Sequence, residues 1–184
     1  MMINHSYLVL DACCLLNIFA SDRGIDILKA LPVQRVVTQV VCDDELKTLQ
    51  SLDDGTNEEG AEQFQLALTQ GLLTVVDFET EVEAESFLNY IAENLDDGEA
   101  ATCAIAFQRK WAIATDDKKA ISFTKKEAPQ IQIISTLELV KYWSDEVNPD
   151  LNDLRLALET IRFTGKYIPH KRHPLYAWWK KILK

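Results

Sequence analysis

The sequence predicts an α/β fold built around a parallel sheet. Short apolar runs recur along the chain, each of a length suited to a strand buried on both faces. The segments between them space their apolar residues as helices do, and strands alternating with helices make βαβ units. Composition agrees: 184 residues, 47% hydrophobic and 26% charged, suit one domain of ordinary size plus an appendage, with a core that needs no disulfides. Disorder, collagen-like repeats and coiled-coil composition are excluded on the same numbers.

Tyr7-Leu8-Val9-Leu10 is the first strand, ended by Asp11. Ser21-Asp22 is the expected start of the first helix, which carries Ile25 and Leu28. Arg35-Val36-Val37-Thr38 is the second strand, and Asp53-Asp54-Gly55-Thr56-Asn57 reads as a loop. A helix with Phe64 and Leu68 leads to the third strand, Leu72 to Val76. Asp96-Asp97-Gly98-Glu99 opens a helix over Ala100 to Phe107, whose alanines let it lie close against a sheet. Trp111 to Thr115 and Ile131 to Ile134 are the fourth and fifth strands. A helical run from Leu137 to Trp143 is broken by Asn148-Pro149-Asp150, which introduces a further helix with Leu151, Leu154, Leu158 and Ile161. The expected division is a sheet domain over residues 1–146 and a helical, basic C-terminal extension over 147–184.

Net charge is −10, the opposite of a protein that holds nucleic acid by bulk positive charge. Its distribution is uneven. From Gly165 to Lys184 there are six cations (Lys166, Lys171, Arg172, Lys180, Lys181, Lys184) and no acids, which leaves the remainder of the chain strongly acidic. A polyanion is therefore expected to meet this tail rather than the average surface. His170 and His173 have a metal-like spacing, but beside Lys171 and Arg172 they read as a loop. Tyr176 and Trp179 either pack a terminal helix or, with the cations, contact RNA.

Cys13, Cys14, Cys42 and Cys103 sit in apolar runs without a C-x-x-C pair, which argues against a Cys/His zinc site and for a reducing, cytoplasmic setting. The apolar stretch Tyr7 to Ala20 contains Asp11 and is too short to span a membrane, so no targeting segment and no membrane partner is expected.

In an open parallel sheet, ligands bind outside the carboxyl ends of the strands. Asp11 ends the first strand, Asp116-Asp117 ends the fourth, and Glu45 and Glu99 lie in the first turns of helices. Such a set suits Mg²⁺ or Mn²⁺, which take oxygen ligands, keep several waters and reverse the local sign of charge for a phosphate. Plainer roles exist: a first-turn Glu45 or Glu99 stabilises a helix dipole, and Asp116-Asp117 serves as a turn or cap. Asp11 is less easily explained so, because an acid following four apolar residues is costly to bury unpaired.

These residues resemble the PIN domain nucleases, including VapC-type toxins and related prokaryotic PIN proteins. The resemblance rests on Leu8-Val9-Leu10-Asp11-Ala12 with Asn17, Val41-x-x-x-Glu45-Leu46, Asp96-x-Gly98-Glu99-Ala100-Ala101, Ala114-Thr115-Asp116-Asp117-Lys118-Lys119-Ala120 and Ile133-Ile134-Ser135-Thr136-Leu137. These pieces run from position 7 to about 143, and in them Asp11, Glu45, Glu99 and Asp117 follow one another in an order and spacing similar to the family's acidic quartet. The resemblance implies a three-layer α/β/α fold with five parallel strands in order 3-2-1-4-5, metal-dependent cleavage of RNA, frequent homodimers and, in toxins, a cognate antitoxin. It implies that Asp11, Glu99 and Asp117 bind metal, that Glu45 binds a second ion or orients the attacking water, and that Asp116 competes with Asp117 as fourth ligand, with Asp96 or Asp97 assisting.

The expected activity is a Mg²⁺- or Mn²⁺-dependent endoribonuclease that leaves 5′-phosphate and 3′-hydroxyl ends. A non-cleaving PIN-fold module that binds RNA or protein is the rival. An aspartate-based phosphotransferase with Asp11 as nucleophile is weaker, since it prefers a second Asp where this chain has Cys13.

Overall fold

The computed structural model of the chain describes residues 3–43 and 58–184. The expected loop at 53–57 lies outside the described residues. Strands β1 (Tyr7–Leu10), β2 (Gln34–Thr38), β3 (Thr74–Val76), β4 (Ala112–Ala114) and β5 (Ile133–Ile134) form one sheet in the order β3-β2-β1-β4-β5. Every pairing is parallel, with Val9 opposite both Val36 and Ile113. This is the expected order, and helices cover both faces, giving a three-layer α/β/α fold.

The alternation of side chains along a strand explains the continuous apolar runs. Leu8 and Leu10 point into one core, Val9 into the other, and all three are completely buried. Ala112 and Ala114 join the first core and Ile113 the second. The third strand is shorter than its apolar run, because Leu73 is a core residue whose N–H bonds to Ala67 O rather than to the ladder.

Described helices are α1 (Ala12–Phe19), α2 (Gly24–Ala30), the short α3 (Gln39–Val41), α4 (Glu58–Thr69), α5 (Glu81–Ala92), α6 (Asp97–Arg109), α7 (Lys118–Glu127), α8 (Thr136–Val147), α9 (Leu151–Phe163) and α10 (Tyr176–Ile182). Ser21-Asp22 does not begin the first helix. That helix starts at Ala12, capped by the Asp11 side chain, while Ser21 donates to Ile18 O and accepts from Arg23 N–H (3.1 Å). The run Ala12-Cys13-Cys14-Leu15-Leu16 is helical because it follows a capping acid.

The helix α6 lies against the second face through Ala100, Cys103 and Ala106. Their small side chains permit the close approach that the alanine run suggests. Asn148 ends α8 in a left-handed conformation (φ 51°), and Asp150 caps α9 by accepting from Asn152 and Asp153 N–H. Leu154, Ala157, Leu158 and Ile161 of α9, with Trp179 and Ile182 of α10, join the same core as Leu8, Leu139 and Trp143. Among the described residues no helix is long and apolar enough to cross a membrane.

Because α9 shares its core with β1, Leu158→Ala and Leu10→Ala should each cost about 2–5 kcal/mol. Both should shift one common denaturant transition. A separate transition appearing only in Leu158→Ala would show that the C-terminal helices unfold by themselves.

Candidate metal centre

The parallel sheet brings its strand carboxyl ends to one edge, where α1, α6 and α7 begin on acidic caps. Asp11 follows β1 and caps α1; its Oδ1 accepts from Ala12 N–H (2.9 Å) and its Oδ2 accepts from Thr115 Oγ1 (2.7 Å) and Cys13 Sγ (3.3 Å). Asp96 caps α6, its Oδ1 accepting from Glu99 N–H (2.8 Å) while Glu99 Oε2 accepts from Asp96 N–H (3.2 Å), a reciprocal capping box. Asp117 caps α7, its Oδ1 accepting from Lys119 N–H (2.6 Å) and Ala120 N–H (3.0 Å). Glu99 and Asp117, which cap different helices, also hydrogen-bond to each other.

Asp11, Asp96, Glu99 and Asp117 thus stand at helix starts on one edge, although the carboxylate oxygens of Asp11, Glu99 and Asp117 do not all lie within 4.8 Å of one another. Asp97 is exposed on the first turn of α6. Glu45 lies outside the described residues. Asp116 belongs to a different environment from Asp117. Its carboxylate accepts from Thr136 N–H (3.2 Å), the Thr136 hydroxyl, Asn17 Nδ2 (3.3 Å) and Cys14 Sγ (3.5 Å). Cys13, Cys14 and Asp116 have donor atoms within 4.8 Å of one another. Burial pushes the Cys14 thiol well up, so it acts there as a hydrogen-bond donor. A hard cation prefers the oxygen-only group.

Electrostatics at the acid group favour a cation. Asp11 is 3% exposed, and burial raises its pKa against the hydrogen bonds from Thr115, Cys13 and Ala12; the Asp96 charge adds to the rise. Burial and then the Asp117 hydrogen bond push Glu99 up to about 8. Burial alone would raise Asp117 too, but the Ala120 N–H, the Glu99 proton and the Lys119 N–H hold it below the ordinary range. Within this pair Glu99 is thus held up and Asp117 held down. Among the described residues no Lys, Arg or His forms an ion pair with Asp11, Asp96, Glu99 or Asp117. Oxygen ligands at one edge, Asp11 and Glu99 buried and Asp117 half-buried, without a described counter-charge, fit a hard divalent ion, whose binding would displace the protons that raised pKa values favour on Asp11 and Glu99.

Sequence reasoning missed Thr115, Thr136 and Tyr167. The hydroxyl of Thr115 supports Asp11, and the Tyr167 hydroxyl lies beside Asp116 from far downstream in the chain. Thr115 directly follows β4, a position that could have been read as facing the same edge.

A protein-family model described as a PIN domain matches residues 7–174. No curated protein matches the chain.

The raised Glu99 pKa makes stability pH-dependent in EDTA. A group whose folded pKa exceeds its unfolded one contributes stability that is complete below the unfolded pKa, 4.5, and is lost as pH rises through about 8. Glu99→Gln keeps the capping acceptor and removes the titration. The melting temperature of the wild type should fall relative to Glu99→Gln as pH rises across this window. Parallel melting curves for the two proteins would place Glu99 in an ordinary, charged helix-start role.

Proposed function

The chain belongs to the PIN-domain family, whose fold is of nuclease type, and from that premise we propose that it is a divalent-metal-dependent endoribonuclease. The observation that carries the reading is the acid group at the sheet edge: Asp11, Glu99 and Asp117, each at the start of a helix and without a described cationic partner. Asp11, Glu99 and Asp117 are the metal ligands, and Glu45 joins them by its spacing in the sequence. The cofactor is Mg²⁺ or Mn²⁺. Asp116, the other residue of the doublet, is the ligand candidate that its hydrogen bonds favour least.

When bound, the ion supplies an activated water and neutralises charge developing on the phosphate oxygens. Asp11 is fixed for ligation by the Thr115 hydroxyl and the Ala12 N–H, which leave its carboxylate one orientation. Glu99 gives up its proton on metal binding, so affinity rises with pH toward about 8. Asp117 keeps its charge through the α7 N–H groups and is ready to ligate without losing a proton.

Residues 1–146 are the nuclease unit in this reading and 147–184 its helical, basic extension. A homodimer is supported by the resemblance to the family, and free cysteines suit the cytoplasm. A toxin's place beside a cognate antitoxin is the finest level of the reading, supported by the resemblance to VapC-type proteins.

Labelled single-stranded RNA with Mn²⁺, Mg²⁺ or EDTA is the test. Cleavage should need metal, leave 5′-phosphate ends, and fall by about a hundredfold or more in Asp11→Asn and in Asp117→Asn, each of which removes a charged ligand from a hard-ion site. Undiminished cutting in EDTA, or a fully active Asp11→Asn, would overturn the mechanism.

A further inference from the structure

The doublet Asp116-Asp117 divides its labour between two structures. Asp117 faces the acid group, while Asp116 receives the C-terminal segment. The Tyr167 ring packs against the core that holds Leu137, with its hydroxyl beside Asp116 and the Leu137 N–H at the start of α8. His173 Nδ1 accepts from Leu175 N–H (3.1 Å), which leaves the ring proton on Nε2, 2.9 Å from Ser135 Oγ at the cap of α8. Gly165 completes the approach: a Cβ there would stand 2.8 Å from Asn17 Oδ1 and 2.7 Å from Ile161 O. Three contacts thus pin residues 164–175 against α1 and α8 at the carboxyl edge. The anchor, Asp116, is the immediate chain neighbour of Asp117, so a single peptide unit links the pinned segment's attachment to the acid group.

Within this pinned segment Lys166, Lys171 and Arg172 are exposed, and among the described residues none makes a salt bridge. Ile168 (62% exposed) lies between these cations, and Phe163 (70%), with the Arg162 guanidinium 5.2 Å from its ring centre, precedes them. On the other flank, Lys118 and Lys119 are exposed in the first turn of α7. Cations with exposed aromatic and apolar groups suit a single strand, whose phosphates pair with charge and whose bases stack.

We propose that residues 164–175 form a strap that holds the backbone of single-stranded nucleic acid against the acid edge through Lys166, Lys171 and Arg172, with Asp116, acting through Tyr167, as the residue that positions it. The proposal rests on the nuclease reading. It supplies what that reading lacks, a source of positive charge beside carboxylates that by themselves repel phosphate.

The test compares the wild type, the triple variant Lys166→Gln/Lys171→Gln/Arg172→Gln and Tyr167→Phe. Binding of a short labelled single-stranded RNA is followed in EDTA against salt, and cleavage of the same RNA in Mn²⁺ yields kcat and KM. The triple variant, altered only at exposed positions, should lower the salt slope by about 2, near 0.7 per lost phosphate contact on a single strand. Its kcat/KM should fall about tenfold, chiefly through KM, as expected for lost uniform binding. Tyr167→Phe should raise KM in the same sense, with its melting temperature recorded alongside to separate loss of the anchor from loss of the fold. Unchanged slope and KM in the triple variant, with cleavage still metal-dependent, would overturn the strap and leave the nuclease reading standing. A wild type that neither binds nor cuts RNA in Mn²⁺ would overturn both. Loss of binding to phosphatidylserine vesicles, with RNA binding untouched, would overturn the strap by giving the segment to an anionic lipid surface.

Discussion

Carboxylates crowded at a sheet edge repel one another, and the fold survives this because the same carboxylates cap helices. Asp11 accepts from the first N–H of α1, Asp96 from an N–H in the first turn of α6, and Asp117 from two N–H groups of α7. Each helix N-terminus leaves N–H groups unsatisfied and carries a partial positive charge, so three helices beginning at one edge make a field suited to anionic side chains. The parallel sheet is what aligns them: β1 and β4 are hydrogen-bonded neighbours, and the chain leaves both toward the same edge. A parallel sheet with its crossover helices therefore creates the site and stabilises its charge at once.

Capping and ligation are commonly weighed as competing explanations for an acid at a helix start. Here the two coincide in Glu99. Its Oε2 closes the capping box with Asp96, and the same carboxyl hydrogen-bonds Asp117 and is raised to about 8 by burial and that contact. Capping fixes where the carboxyl sits; what the carboxyl faces decides its chemistry. Asp117 makes the opposite case. It is as much a cap as Asp96, and the helix N–H groups, against its burial, hold its carboxyl below the ordinary range.

Much of this was legible in the sequence. Four apolar residues ended by Asp11 read as a buried strand meeting a site, and Asp96-x-Gly98-Glu99 before an alanine run read as a helix start against the sheet. The strand order followed from the family resemblance and agrees with the structure. What could not be read had physical reasons. The first helix was displaced because Cys13-Cys14-Leu15-Leu16 is apolar without an obvious period, and only the capping geometry of Asp11 shows where it begins. Asp116 and Asp117 are one residue type in adjacent places, and separating them takes the directions of their side chains. The hydrogen-bond partners of the Asp116 carboxylate are Cys14, Asn17 and Thr136, drawn from two distant segments that no local pattern connects.

The charge distribution then becomes intelligible as a single arrangement. A chain with net charge −10 meets a polyanion badly on average, yet its acids and cations are not mixed at random. At the carboxyl edge Asp11 and Glu99 are buried and Asp117 half-buried, and a cation held there would reverse their sign over a few ångströms. The C-terminal cations lie in a segment free of acids, and part of that segment is tied to the same edge through Tyr167 and His173. Spread over the whole surface, six cations would be cancelled by 29 acids within a Debye length of about 8 Å at physiological salt. Confined to the C-terminal segment that begins at Gly165, they need prevail only locally, and in the proposed strap Lys166, Lys171 and Arg172 would do so beside the edge to which Ser135 ties His173.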